Sequence, residues 1–86
     1  MAKNSIKMVV KVFPEDKQNF QFKCVKDTRD ELKEMFVPGV LKGYEKNNAA
    51  PGSARVEMKM YKGGKMIERD EAEIIVNEDL ESLQIV

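Results

Sequence analysis

Residues 26–36, KDTRDELKEMF, decide the fold, because they place one helix between two groups of strands. Thr28 is followed three residues later by Glu31, which is the spacing of a capping box at a helix N-terminus. The apolar residues that follow recur at helical spacing and form one stripe on an otherwise charged helix: Leu32, Met35 and Phe36. This stretch therefore predicts a helix with a single apolar face.

The residues beyond this stripe are compatible with more than one helix end. Pro38-Gly39 lies inside the helical pattern, and a proline there removes a backbone donor and crowds the preceding turn. We expect the regular helix to end near Phe36 or to kink there. Whether residues 40–44 add further turns stays open at this stage. Residues 47–53, NNAAPGS, predict a loop.

A hairpin of two strands is predicted before the helix. Residues 5–13 alternate, so that one face carries Ile6, Met8, Val10 and Val12. The other face carries Lys7, Val9, Lys11 and Phe13. Residues 14–19 have turn chemistry, and residues 20–25 alternate again with Phe20, Phe22 and Cys24 on one face. Two alternating segments this close in sequence predict an antiparallel pair.

Three more strands are predicted after the helix. Residues 55–61 alternate, and Gly63-Gly64 provides a pair of glycines suited to a two-residue hairpin turn. We expect a short fourth strand at Met66-Ile67, a solvated loop in the charged run 69–73, and a compact apolar piece at 74–76. Residues 83–86 predict a last strand, which we place beside the first strand in the middle of the sheet.

These elements predict an α+β fold in one domain over residues 1–86. We expect a mixed four- to five-stranded sheet with one main helix packed on one face, because the helix has to bury its stripe against the apolar side of the sheet.

Charge and residue content argue against several classes of function. Fifteen acidic residues offset fifteen basic ones, and only three of the bases are arginine, so we expect no binding to nucleic acid or to a membrane. There is no histidine and only one cysteine, Cys24. We therefore expect no enzyme activity, no metal site, no cofactor and no disulfide framework.

The distribution of apolar residues bears on the cellular location. No apolar run approaches the ~20 residues that a membrane-spanning helix needs. Residues 1–5 lead into an alternating strand without the apolar region of a signal peptide. A cytoplasmic location is the expectation that follows.

Three short stretches carry a resemblance to a known family. Residues 26–33 are similar to the start of the ubiquitin helix, where an Asp-Thr pair caps the first turn. Residues 64–68, GKMIE, are similar to the Gly-Lys-x-Leu-Glu segment that follows the third ubiquitin strand. Residues 81–86, ESLQIV, are similar to its final strand. The chain thus resembles the ubiquitin-like β-grasp superfamily in element order and in these stretches.

The resemblance also implies a class of function. Conjugating modifiers and sulfur carriers of this superfamily end in a flexible Gly-Gly tail, whereas this sequence ends in a predicted strand. Members without such a tail are protein-binding modules or small subunits of larger assemblies. We therefore expect a non-catalytic interaction module or accessory subunit. The alternatives are a structural subunit of a multicomponent enzyme such as a monooxygenase, and an atypical ubiquitin-like modifier or sulfur carrier.

The resemblance further implies a binding face on the exposed side of the sheet. Tyr61 and Val86 match positions of the apolar patch through which ubiquitin-like domains commonly bind proteins, and Phe13 falls nearby. The surrounding residues of this predicted protein-binding site are Val9, Lys11, Lys59 and Gln84. In the alternative arrangement, the loop after the helix or residues 40–44 cover this face. The partner and the oligomeric state stay open.

Overall fold

Two antiparallel strands begin the fold in the computed structural model, which describes residues 5–15 and 18–86. Strand β1 is Ile6–Pro14 and strand β2 is Phe20–Lys26. Their register pairs Met8 with Cys24, which confirms the predicted hairpin. The predicted turn over 14–19 is only partly covered, because residues 16 and 17 lie outside the described residues.

The helix, α1, is Arg29–Lys46. Its predicted N-cap is confirmed: the Glu31 amide donates to Thr28 Oγ1 at 3.2 Å, and that hydroxyl donates to Glu31 Oε1 at 3.0 Å. The prediction that the regular helix ends near Phe36 was wrong, since α1 continues through the exposed Pro38 for two more turns.

Close packing of α1 on β2 explains why the helix continues. A Cβ atom at Gly39 would overlap the ring of Phe22, and one at Gly43 would overlap the ring of Phe20. Two glycines one turn apart therefore let the helix backbone rest against two aromatic rings. Tyr44 is fully buried on the same side, edge-on to Phe20 with ring centroids 5.7 Å apart. This packing stabilises the last turns and outweighs the hydrogen bond lost at the proline.

Strands β3, Gly52–Lys62, and β4, Lys65–Val76, form a long hairpin. Gly63 and Gly64 make the predicted turn with φ angles of 58° and 80°, and the register shifts before the turn, between Met60 and Tyr61. The predictions of a loop at 69–73 and of a short fourth strand were wrong, because both segments belong to β4. The exposure of the charges explains the error: all four charged residues of the run are exposed while the backbone pairs with β3, so charge alone did not distinguish a strand from a loop.

The fifth strand, β5, is Leu83–Ile85 and pairs with residues 74–76 of β4. The strand order is β2-β1-β3-β4-β5, and every pairing is antiparallel. The predicted mixed sheet with the last strand in the middle was therefore wrong. Strand β3 occupies that place instead. It pairs with the whole length of β1, from Ile6 opposite Lys62 to Pro14 opposite Ala54.

An α+β fold with five strands and one helix on one face of the sheet is confirmed. We call the face that carries α1 the inner face and the opposite one the outer face. The helix packs mainly on β2 and less on β1. The core lies between helix and sheet, and its fully buried side chains include Met8, Val10, Val12, Leu32, Val40, Tyr44, Val56, Met60, Ile74 and Val76.

Candidate functional site

All seven predicted binding residues lie on the outer face. On β1 they alternate with the buried Met8, Val10 and Val12, and the pairings of β3 and β5 continue the same face across the sheet. The residues that the alternative arrangement placed over this face lie elsewhere: Val40, Tyr44 and Ala49 are buried in the core on the helix side. The predicted set is therefore Val9, Lys11, Phe13, Lys59, Tyr61, Gln84 and Val86 on one face that α1 leaves uncovered.

These seven residues do not form one patch. Tyr61 stands opposite Lys7 at one end of the face, whereas Phe13 stands opposite Arg55 at the other. Six residues of extended strand separate Arg55 from Tyr61, which corresponds to about 20 Å. The face therefore has an aromatic side chain at each end, with charged residues between them.

Phe13 and Val86 line the same depression, which has a volume of about 450 Å³. The amide of Val86 donates to the Glu73 carbonyl at 2.9 Å, and this bond continues the edge pairing one residue past β5. The guanidinium of Arg55 lies 4.5 Å from the centroid of the Phe13 ring and also donates to Glu57 Oε2 at 3.0 Å. The depression thus combines apolar side chains with a guanidinium held in place by two contacts, and Glu15 and Glu73 also line it.

Sequence reasoning found only Phe13 and Val86 among the residues that line this depression, and it missed Arg55 and Ile75 among others. Ile75 is 40% exposed, although residues 74–76 look like a compact apolar piece. Its neighbours Ile74 and Val76 are buried, so the segment alternates between the two faces as strand residues do. The alternation of residues along β4 indicates that Ile75 faces away from the core. This alternation could be used only once β4 was known to be one continuous strand.

Lysines surround Val9 in the middle of the outer face. Val9 stands opposite Lys23 on β2 and opposite Lys59 on β3, and Lys7 and Lys11 are its same-face neighbours along β1. We call these four lysines the lysine ring. Directly opposite residues have Cβ atoms about 5 Å apart, so four ammonium groups can reach the space above Val9. The seven predicted residues include only two members of this ring.

The basic character extends beyond the ring. Arg69 on β4 stands opposite Lys59, so two cations face each other across the sheet. The two acids nearest to Lys59 and Arg69 are already engaged, because Glu57 pairs with Arg55 and Glu71 pairs with Arg69. Among the described residues, no ion pair involves any lysine of the ring. The centre of the outer face is therefore positively charged in a chain whose formal net charge is zero.

Within residues 5–15 and 18–86, no three His, Cys, Asp or Glu side chains lie close enough together to hold a metal ion. In the same part of the chain, no helix is both long and apolar enough to cross a membrane.

Comparison with known proteins gave no match: no family model, no curated protein and no solved structure is similar enough to count as a relative. Any assignment of function therefore depends on the residues and surfaces of this chain alone.

Proposed function

We propose that the protein is a non-catalytic interaction module or a small accessory subunit that binds an acidic surface of a protein partner through its outer face. The observation that carries this proposal is the lysine ring around Val9, on a sheet face that α1 leaves uncovered. Apolar side chains with a charged rim are the usual composition of a protein interface.

Electrostatics supports an acidic partner. Lys59 and Arg69 stand opposite each other, and like charges at that distance destabilise a sheet. Carboxylates of a partner would relieve this repulsion, and their field would speed association. The depression beside Phe13 and Val86 offers apolar contact at one end of the same face. Together these features fit a partner that carries acids beside an apolar side chain.

Other features of the face favour a protein over a nucleic acid. Glu57, Glu71 and Glu73 share the outer face with the lysines and would repel a continuous run of phosphates. The ring of Phe13 is occupied by Arg55, and Tyr61 is about 20 Å away, so the two aromatics do not form a stacking platform. A folded or extended protein segment can place its few acids to avoid these carboxylates.

Membership of the ubiquitin-like β-grasp superfamily is part of the proposal. Its support is the order of the elements, the capped helix and the single helix on one face of the sheet. The edge position of β5 departs from the central position that the sequence analysis predicts for the last strand. The binding proposal depends on the outer face and not on this family assignment.

Titration of the ¹⁵N-labelled chain with a short peptide of alternating Glu and Val tests the proposal. We expect amide shifts at Val9, Lys11, Lys23 and Lys59, and binding that weakens as salt increases. The double variant Lys23→Glu with Lys59→Glu should weaken binding at least about tenfold, because it replaces attraction by repulsion. The matched control is Lys42→Glu with Lys46→Glu, which makes the same charge change on exposed positions of α1 and should leave the affinity within about twofold.

Three outcomes would contradict the proposal. The first is an equal loss of affinity in both double variants, which would indicate a response to net charge alone. The second is tighter binding of an oligouridine probe than of the acidic peptide, which would indicate a nucleic-acid surface. The third is the absence of shifts on the outer face at saturating peptide.

A further inference from the structure

The fold leaves a second surface without a partner, at the free edge of β4. Strand β5 pairs only with residues 74–76, so residues 65–72 of β4 have a neighbouring strand on one side only within the described part of the chain. We call residues 65–72 the open edge. An edge of this length is a template for pairing with a further strand.

The backbone groups of the open edge can be assigned from the neighbouring pairing. The Glu73 carbonyl points away from β3, since it accepts from the Val86 amide. Backbone groups alternate in direction along a strand, so Arg69 and Glu71 also present their N–H and C=O groups at the open edge. The Glu71 amide donates to Asp70 Oδ1 at 2.9 Å, which agrees with an N–H that takes no part in the ladder to β3.

An apolar groove lies beside the open edge on the inner face. Because α1 packs mainly on β2 and less on β1, a cavity of about 310 Å³ remains between α1 and β4. Ile85 is 63% exposed at this groove although its side chain is apolar. The other apolar residues that line the groove are Met8, Phe36, Val56, Met58 and Ala72.

Acidic residues outnumber basic ones around the open edge. Glu68 pairs with Arg29, and Glu71 pairs with Arg69. Asp70 and Glu73 take part in no ion pair among the described residues, and Lys33 is the one basic residue that lines the groove. The two sides of the edge differ in their apolar content. The groove on the inner side is lined mostly by apolar residues, with Glu68, Asp70 and Glu71 also in its lining. The outer side carries Arg69, Glu71 and Glu73.

We infer that the open edge accepts an extended segment of another protein as a sixth strand, with apolar side chains on one face of that segment and basic side chains on the other. Its backbone pairs with Arg69 and Glu71. Its apolar side chains enter the groove over Met58 and Ala72. Its basic side chains meet Glu73, and they also meet Glu71, which they share with Arg69. This site is separate from the outer-face lysines, so it does not depend on the function proposed above.

Alternation in the added strand follows from the geometry of the edge. Successive side chains of a strand point to opposite faces. Here one face offers a mostly apolar groove, and the other offers Glu71 and Glu73 beside a single cation, Arg69. A segment of alternating Lys and Val places its valines in the groove and its lysines near the carboxylates. An acidic segment would place its charges against Glu71 and Glu73.

Titration of the full ¹⁵N-labelled chain with an end-capped peptide of alternating Lys and Val tests the inference. We expect shifts at residues 69–72 and at Ile85, and slower hydrogen exchange of the Arg69 and Glu71 amides. The alternating Glu and Val peptide should produce none of these changes at the open edge. The same two peptides thus test both proposals: we expect the Glu and Val peptide at the lysine ring and the Lys and Val peptide at the open edge.

Two matched comparisons separate backbone pairing from charge. Glu71→Pro removes an edge donor without touching the ladder to β3, so it should weaken binding of the Lys and Val peptide about tenfold more than Glu71→Ala, through the loss of one backbone hydrogen bond. If Glu71→Pro fails to fold, the wild-type chain and a peptide methylated on its pairing amides make the same comparison.

Several results would overturn the inference. Equal affinities of Glu71→Pro and Glu71→Ala, or of the methylated and unmethylated peptides, would show that no strand is added. Equal binding of both peptides at the open edge would remove the charge argument. Concentration-dependent self-association with protection of residues 69–72 would identify a second copy as the occupant, and no shift at the open edge at saturating peptide would show that its charges simply prevent pairing.

Discussion

The two faces of β1 carry residues of different kinds. Its inner side carries Met8, Val10 and Val12, none of them more than 1% exposed, and its outer side carries Val9 between two lysines. The same nine residues of backbone therefore support a packed core on one side and a charged surface on the other. The difference teaches that stability and the proposed binding depend on different residues of one strand, so they can be changed separately.

Substitutions at the adjacent residues Met8 and Val9 test this separation, and they have the largest expected difference in the free energy of unfolding. Met8→Ala should lower the free energy of unfolding by about 2–5 kcal/mol, because it leaves a cavity under α1. Val9→Ala changes a half-buried outer-face residue and should cost less than about 1 kcal/mol. Urea denaturation of both variants measures the difference. Similar losses for the two would show that the outer side of β1 is packed as tightly as the inner side.

The contact between α1 and β2 gives the next largest effect. Gly43→Ala should introduce overpacking against Phe20 that costs about 1–3 kcal/mol. The higher helix propensity of alanine returns about 1 kcal/mol, so we expect a net loss of up to about 2 kcal/mol in the free energy of unfolding.

The control for this change lies one residue earlier on the same helix. Lys42 is exposed, and Lys42→Ala should leave stability within about 0.5 kcal/mol. The second change Phe20→Leu should recover part of the loss in Gly43→Ala, because it shortens the side chain that the new Cβ meets. A Gly43→Ala variant more stable than wild type would contradict close packing of helix and strand.

The smallest expected effect concerns charge on the outer face. Lys59→Glu replaces a like-charged pair with Arg69 by an opposite-charged one and should raise the free energy of unfolding by about 0.2–1 kcal/mol. The gain should vanish at high salt, since the pair is near the surface. Thermal unfolding at low and high salt measures both values. A loss of stability at low salt would show that Lys59 contributes through packing rather than charge.

Two errors of the sequence interpretation share one cause. Pro38 predicts a helix end and the run 69–73 predicts a loop, yet both segments continue their elements. In each case a partner elsewhere in the chain decides the outcome. Gly39 packs against the ring of Phe22, and Gly43 packs against the ring of Phe20. The charged run pairs with β3. Such contacts join residues far apart in sequence, and local propensity does not contain them.

The candidate site could be predicted in part. Alternation along β1 and β3 was enough to put Val9, Lys11, Phe13, Lys59 and Tyr61 on one face. It also put Lys7 on that face, although Lys7 was not included in the predicted site. It was not enough to find Lys23 as a member of the ring, because the position of Lys23 opposite Val9 depends on the register between strands. The groove beside the open edge was not predicted at all, since it exists only because α1 lies toward β2.

The sequence by itself determined the capped start of the helix, the Gly63-Gly64 turn and the side of the sheet to which each residue of β1 and β3 points. These features depend on dihedral preferences and on short periodicities, which act between residues close in the chain. Only the tertiary structure decided the length of α1, the order of the strands and the edge position of β5. Those depend on which distant surfaces bury each other, and that is a competition among pairings of the whole chain.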